Sequence, residues 1–456
     1  MTLDNLLNKP CRIHFIGVGG SGIFPLVQIF HSRGHILQGS DNNPGDTIET
    51  EKQMGVTVYM GHKAEQVNGA DLVIYSAAIM EDNPELVAAR EQGIPVFERT
   101  QILGWLSGKY TDCISVAGAH GKTTTTALLS QILISAGLDP TCIIGGKLPL
   151  IQGSGRAGSS SIMAVEACEF KDGFHRLASD IAVILNVNAD HLDYFGDLDA
   201  IIRSFRQFAE NASRLIIACG DDKNTQIALQ GVNKKILTYG FNPGNDYTAE
   251  NIEIIDPLHQ DFDLMFQGDK LARISLRIPG RHNILNALAA CAAALAVGAT
   301  PKQLAEAIPG FRGAVRRFEF LGKTRGITIV DDYAHHPAEL EATLKVAMEM
   351  DYNQVWAVFQ PFTFSRTKFL LDEFAQALKI PQRAVMSAIM GGREHNTYGV
   401  ETKDLAEKIP GSVWFETFEE ITDYVMRNAQ EGDLVITMGC GDVYKCAYMM
   451  LDWESV

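Results

Sequence analysis

The sequence predicts an α/β protein built of three domains. Three observations carry that prediction. Short apolar runs alternate with segments of helical spacing over most of the chain. Two glycine-rich loops each follow a strand-like run and open a separate α/β unit, near residues 17 and 118. A third series of strands begins after a break near 310–315.

Taken in order, RIHFI (12–16) and DLVIY (71–75) read as buried strands of the first unit. CISVA (113–117), IMAVE (162–166), IAVILNV (181–187) and LIIAC (215–219) read as those of the second. ITIVD (327–331), VWAVF (355–359) and LVITM (434–438) belong to the third. Continuous apolar runs of this kind suit strands covered on both faces, as in parallel sheets. Segments 123–136, 283–297, 338–350 and 401–408 have helical spacing. The stretch 251–278 differs: NIEII, DFDLMF and ARISLRI follow one another closely and predict a small antiparallel meander. GWLSGKYTD (104–112) and PGFRGAV (309–315) mark the boundaries, giving expected domains over 1–107, 108–312 and 313–456.

At 456 residues the chain exceeds one ordinary domain, and 46% hydrophobic with 21% charged residues is globular composition. With 55 acidic against 39 basic residues the net charge is -16. That balance opposes non-specific binding to nucleic acid or acidic membranes, while leaving room for a local phosphate pocket. The eight cysteines form no CxxC pair and no zinc spacing, so buried free thiols in a reducing compartment explain them. The opening MTLDNLLNKPCRIHF lacks the layout of a secretory signal, and the longest apolar run, 287–299, is too short for a membrane span. The expectation is a cytoplasmic protein with no nucleic-acid partner and no membrane insertion.

The strongest chemical motif is SVAGAHGKTTTT (115–126). A strand ends, a glycine loop follows, and a helix begins at Lys122. Such a loop turns Gly118, Ala119, His120 and Gly121 N–H groups toward one point, and the helix adds its positive dipole end. Lys122 would reach β- and γ-phosphates, with the hydroxyls of Thr123 and Thr124 beside it and Thr123 on Mg²⁺. Gly118-x-x-Gly121-Lys122-Thr123 is two residues shorter than the usual GxxxxGK[ST] loop. Two further ligand candidates end following strands: Glu166, in VEACEFKDGF, and His191, in NVNADHLDYFG, flanked by Asp190 and Asp193. Each alone is equally well a solvated strand end or a loop cap; their shared place after strands of one sheet favours metal and phosphate ligation.

Arg281, His282 and Asn283, in PGRHNILN (279–286), serve either as helix caps or as contacts to a nucleotide base. In the third unit AVRRFEFLG (314–322) and IVDDYAHHPAEL (329–340) crowd arginines, aspartates and histidines around a strand end, with Pro337 suited to a first helical turn. His335 and His336 do not suggest a shared metal, because neighbouring residues of an extended segment point to opposite sides. The first unit carries HFIGVGGSGI (14–23), in which Gly17, Gly19 and Gly22 fit GxGxxG, and Asp41 closes the next strand. This pattern predicts a diphosphate cradle and no more.

Together these motifs resemble the Mur ligase family. The resemblance runs through HFIGVGGSG, GSD, AGAHGKTTTT, NVNADHLDYFG, GRHNILNALAA, RRFEFLG, DDYAHHPAEL, VFQPFTFSRT and MGCGD, in that order over almost the whole chain. It implies a Rossmann-like UDP-binding N-terminal domain, a central P-loop ATPase-like α/β domain and a Rossmann-like C-terminal domain that closes over the amino-acid site. By the same resemblance, Lys122 and Thr123 bind ATP phosphates, while Thr123, Glu166 and His191 ligate Mg²⁺. Asn283 contacts the adenine nucleotide, and Arg317 and Asp332 reach it from the third domain. His335 and Arg366 lie near the incoming substrates. Gly19, Ser21, Gly22, Ser40, Asp41, His62 and Ser76 hold the uridine nucleotide. Two segments depart from forms usual in relatives: EADESD is EACEFKD here, and QPHRYxRT is QPFTFSRT, with Phe362 and Thr363 in place of a His-Arg pair. The loop GGREHNTYGV (391–400) is expected to border the amino-acid pocket.

The implied reaction joins L-alanine to the lactyl carboxylate of UDP-N-acetylmuramic acid through an acyl phosphate, in peptidoglycan precursor synthesis. A ligase acting on a free murein tripeptide, or one adding another amino acid, is the nearest rival. A nicotinamide oxidoreductase would account for GxGxxG and Asp41 but leaves GAHGKTTTT and the third unit unexplained. A non-catalytic nucleotide sensor predicts loss of the lysine or metal ligands, and Lys122, Thr123, Glu166 and His191 are all present.

Overall fold

The computed structural model describes residues 3–76, 78–189, 191–256, 258–392 and 394–453, the side chains of Leu192 and Asp193 excepted. Asp190, the Asp193 side chain and Arg393 of the 391–400 loop therefore lie outside the described residues.

The first strands are β1 (Arg12–Ile16), β2 (Ile36–Asp41), β3 (Thr57–Met60), β4 (Leu72–Tyr75) and β5 (Val96–Glu98). They form a parallel sheet in the order 3-2-1-4-5. The second set is β6 (Asp112–Ala117), β7 (Thr141–Leu148), β8 (Gly153–Arg156), β9 (Ile162–Glu166), β10 (Ile181–Ile184), β11 (Leu215–Cys219), β12 (Ile236–Gly240), β13 (Tyr247–Asp256), β14 (His259–Phe266) and β15 (Asp269–Leu276). Their sheet runs 15-14-13-12-11-10-6-9-7-8, parallel through its middle, with β8 antiparallel to β7 and β15 to β14. The third set is β16 (Glu319–Thr324), β17 (Ile327–Asp332), β18 (Val355–Phe359), β19 (Arg383–Ser387), β20 (Val413–Phe415) and β21 (Leu434–Met438). Its order is 16-17-21-18-19-20, and only the pairing of β16 with β17 is antiparallel among those of this sheet.

The strands foreseen from apolar runs are the buried ones: β9, β11, β18 and β21 coincide with their predicted limits. Of the strands that escaped prediction, β19 is buried from Ala384 onward but short, and others lack a continuous apolar run. β3, β5 and β20 are short and only partly covered, and β7 and β8 are rich in glycine. The expected boundary at 104–112 is also partly helical, because Gly104–Ser107 completes the helix Arg99–Ser107.

By contacts the chain forms two compact units. The first holds Met1–Ile255, His259–Arg277 and Arg281–Phe311, and the second holds Asp256–Leu258, Ile278–Gly280 and Arg312–Val456. Within the first unit one continuous apolar cluster joins the N-terminal sheet to the central one, from Phe15 and Leu26 to Ile184 and Phe205. The join is specific. Gln28, on the helix Phe24–Ser32, accepts from the backbone N–H of Ser154 (3.0 Å) and Gly155 (2.8 Å) on β8. A Cβ on Gly155 would stand 2.3 Å from the carbonyl oxygen of Pro25, so the GSGR sequence of β8 lets that helix approach. The alanine-rich helix Arg281–Ala296 is buried along most of its length and packs on the helix Lys122–Ser135.

All eight cysteines are free; Cys113, Cys142, Cys219, Cys291 and Cys446 are buried as expected, whereas Cys168 is exposed. Among the described residues no helix is long and apolar enough to cross a membrane.

Glu51, on the helix Asp46–Gln53, is fully buried, and neither carboxyl oxygen has a hydrogen-bond partner in the structure. Burial, with the charge of Asp41 nearby, pushes its pKa up to about 8 from 4.5. The folded chain therefore holds a proton that the unfolded chain has released between those values, and stability falls as pH rises from 4.5 to 8. Glu51→Gln should remove that decline: melting curves should match the parent at pH 4.5 and show a gain on the order of a few kcal/mol at pH 8.5.

Candidate active site

Two neighbours flank β6 in the central sheet, β10 on one side and β9 on the other. The carboxyl ends of these strands meet where the strand order turns, which is where open α/β sheets receive ligands. The loop 118–121 leaves β6 at this point. Gly118 has φ +152° and Gly121 φ +85°; a Cβ at the first would stand 2.9 Å from Leu185 Cβ and at the second 2.5 Å from Asn286 Oδ1. Asn186, after β10, pins the loop from beneath. Its side chain accepts from His120 N (2.9 Å) and donates to His120 O (3.0 Å), and its carbonyl accepts from Ala119 N (3.2 Å).

Lys122 opens the helix. Its ammonium donates to Gly118 O (2.5 Å) and Ala119 O (3.1 Å) and pairs with Glu169 at 3.0 Å. Burial works against the charge, but Glu169, Cys168 and Glu166 outweigh it and hold the lysine above its ordinary pKa. Thr123, one residue on, donates to Glu166 Oε1 at 3.1 Å, and Glu166 Oε2 accepts from Gly145 N at 2.7 Å. Thr124 shares this first turn. His191, at φ +52° after β10, lies against the Phe170 ring with centroids 4.9 Å apart. Phe170 thus gives the departure from EADESD a structural use: it backs the histidine.

Magnesium binding suits this donor set. Mg²⁺ takes few protein ligands, filling its octahedron with phosphate and water oxygens. A threonine hydroxyl and a carboxylate oxygen in contact at a phosphate loop supply what it needs. Among the described residues no group of three His, Cys, Asp or Glu side chains converges as a protein-only metal site. Asn283 is buried in the helix Arg281–Ala296, and its Oδ1 accepts from Asn286 Nδ2 at 3.0 Å. Asn286 in turn touches Gly121, so the structure does bring Asn283 beside the loop. Arg281 stacks on Phe241 at 4.6 Å. His282 is exposed on the first turn of the same helix.

The N-terminal residues gather at the carboxyl edge of β1, β2, β3 and β4. Asp41 accepts from Gly19 N (3.1 Å) and Asn43 N (3.0 Å), shaping the glycine loop. A Cβ on Gly19 would stand 2.7 Å from Ile48 Cδ1, so a larger residue there would have to push that side chain aside. Ser21 is exposed and Gly22 lies under Arg99, whose Nε would be 3.2 Å from a Cβ at that position. Ser76 adjoins Gly17. Ser40 differs from the rest: its side chain is fully buried, bonded to Glu85 and His62, and stands behind this edge. A cleft of about 240 Å³ runs from Tyr75, Ile79 and Arg99 of the N-terminal part to Glu166, Cys168 and Phe170 after β9.

The second unit assembles its own polar cluster at the carboxyl ends of β17, β18 and β21. Asp332 is buried and accepts from Phe318 N and Ala334 N, both at 2.8 Å. Burial pushes its pKa up to about 6 despite Arg317. His335 Nδ1 lies 3.0 Å from Tyr333 O and 3.3 Å from Glu339, and burial holds its pKa below the ordinary imidazole value. Arg366 donates to Phe362 O at 3.2 Å and acts electrostatically on His335. Thr363, at the second departure, caps the helix Phe364–Phe369.

Family models match in three successive segments: the Mur ligase family catalytic domain over 12–111, the Mur ligase middle domain over 116–294, and the Mur ligase glutamate ligase domain over 316–441. The chain belongs to the Mur ligase family. A UDP-N-acetylmuramate–L-alanine ligase of Caldanaerobacter subterraneus subsp. tengcongensis is 42% identical over 452 residues, covering 98% of each chain. One from Acetivibrio thermocellus is 41% identical over 453 residues, covering 97% of this chain and 96% of its own. Among solved structures, the UDP-N-acetylmuramate-alanine ligase of Thermotoga maritima superposes with a TM-score of 0.82 at 25% identity, over 97% of this chain and 98% of its own. A murein peptide ligase of Psychrobacter arcticus shares the fold, with a TM-score of 0.75 at 24% identity over 98% and 100%.

Sequence reasoning missed four residues of this Mur ligase site. Glu169 and Asn186 follow strands already recognised as site-bearing, and a search for polar residues within a few positions of Glu166 and IAVILNV would have found them. Arg99 and Glu85 gave no such signal, because only the folded N-terminal sheet brings them to the glycine loop and to His62. Gly121→Ala in this Mur ligase meets both a positive φ and the Asn286 side chain; ADP affinity by calorimetry should fall about tenfold or more.

Proposed function

We propose that this chain joins L-alanine to the lactyl carboxylate of UDP-N-acetylmuramic acid, coupled to cleavage of ATP, in the cytoplasm as a step of peptidoglycan precursor synthesis. One observation carries the reading: a single compact unit holds both a glycine loop suited to a diphosphate, shaped by Asp41 on Gly19 N, and a second loop, bearing Lys122, suited to a triphosphate. Residues 1–107 hold the sugar nucleotide, 108–312 hold ATP, and 313–456 serve the amino acid. The relatives' names give the same substrates.

In the first step a lactyl carboxylate oxygen attacks the γ-phosphorus of ATP, the bond to the bridging oxygen breaks, and ADP leaves. In the second, the alanine amine attacks the acyl carbon, the carbon–oxygen bond to phosphate breaks, and inorganic phosphate departs. Lys122 neutralises charge on the transferring phosphoryl group, and the loop N–H groups orient it. Bound Mg²⁺, held by Thr123, Glu166 and His191, would add charge neutralisation on phosphate oxygens. Asn283, Arg317 and Asp332 hold the nucleotide. His335, whose pKa burial lowers, and Arg366 stand near the incoming alanine.

Phosphate release with ATP, Mg²⁺ and UDP-N-acetylmuramic acid tests this. Release should require L-alanine and exceed that with other amino acids, and Lys122→Ala should lower it by roughly a hundredfold or more. Turnover of a free murein tripeptide instead of the sugar nucleotide and alanine would overturn the substrate assignment.

A further inference from the structure

The N-terminal sheet encloses a polar network that the ligation chemistry does not use. His14 in β1, Ser40 in β2 and Glu85 in the first turn of the helix Pro84–Glu91 are fully buried. Glu85 Oε1 lies 3.1 Å from His14 Nε2; Oε2 lies 2.5 Å from Ser40 Oγ and 2.8 Å from His62 Nδ1. Ser40 Oγ and His62 Nδ1 are 3.0 Å apart. Of these four side chains only His62 reaches solvent, at 13% exposure.

One backbone carbonyl places the protons. Gln66 O can only accept, and Gln38 Nε2 donates to it at 2.9 Å, so that atom is the amide nitrogen. The same nitrogen lies 3.2 Å from His14 Nδ1, which must accept. The His14 proton therefore sits on Nε2 and points at Glu85 Oε1. The other carboxyl oxygen receives the Ser40 hydroxyl and Nδ1–H of His62. That leaves His62 Nε2 as the free nitrogen, turned away from the buried carboxylate. His62 itself follows Gly61, whose N–H bonds Asp41 O at 2.8 Å where β2 and β3 end.

A carboxylate without water is costly to bury, and apolar side chains would tie β1, β2 and this helix together without it. We propose that Glu85 is a positioning residue: by holding His62 through Nδ1, braced by Ser40 and His14, it presents His62 Nε2 as a contact atom for the uridine nucleotide. The proposal rests on the reading of this edge as the uridine site.

Calorimetric titration with UDP tests it, with ADP titration into the same samples reporting an intact fold. Glu85→Gln should weaken UDP binding about tenfold and leave ADP binding unchanged. His62→Gln, whose amide reaches the place of Nε2, should keep more affinity than His62→Asn, whose amide reaches only that of Nδ1. Adding Glu85→Gln to His62→Ala should cost nothing further. Should Glu85→Gln fail the ADP control, Ser40→Ala should show the same selective loss to a smaller degree. UDP affinity that is insensitive to Glu85→Gln but lost in His62→Ala overturns the positioning role. So does a Glu85→Gln effect that persists without His62, or equal affinities in His62→Gln and His62→Asn. Failure of the unaltered protein to bind UDP would instead remove the uridine reading on which the proposal stands.

Discussion

The largely buried ammonium of Lys122 is the constraint around which the central site is organised. An ammonium leaves water only where oxygens replace its hydration, and here Gly118 O, Ala119 O and Glu169 do so. For those two carbonyls to face inward the loop must adopt backbone angles that Gly118 and Gly121 provide, and Leu185, Asn186 and Asn286 leave no room for a side chain at either. Asn186 then fixes the loop through three hydrogen bonds from the end of β10. Glu166, from the strand on the other side, meets Thr123. One lysine thus requires a particular loop, and the loop requires both neighbouring strands.

The same unit carries the N-terminal glycine loop because Gln28 and the small residues of β8 allow the N-terminal helix to dock. A continuous apolar cluster under both sheets holds the two glycine loops in one body. The distance a lactyl carboxylate must span to a γ-phosphate is therefore set by packing within a single unit. Buried polar groups supply the finer orientation: Asp41 on Gly19 N, and Glu85 between His14 and His62.

Much of this was legible beforehand. Strands covered on both faces announce themselves as continuous apolar runs, so IMAVE, LIIAC, VWAVF and LVITM were found to their ends. Half-covered strands such as β3 and β20 were not, since their pattern merges with that of loops. The phosphate loop was equally plain, because backbone cradles need glycines at fixed spacing whatever the surroundings. Ser40 shows the limit. The family resemblance implied a ligand contact for it, yet its hydroxyl, near the end of β2, is buried against Glu85, and no spacing rule separates a residue facing the edge from one behind it.

By itself the sequence determined the α/β class and the two glycine loops, and it singled out Lys122, Thr123, Glu166 and His191 as candidates for phosphate and metal. These follow from local backbone geometry and residue chemistry, which a short stretch of chain contains. Tertiary structure alone decided that Glu169 holds Lys122, that Arg99 covers Gly22, and that Glu85 stands between two histidines. Each joins segments that only sheet order and helix docking bring together, and contact across the fold leaves no periodic trace in the chain.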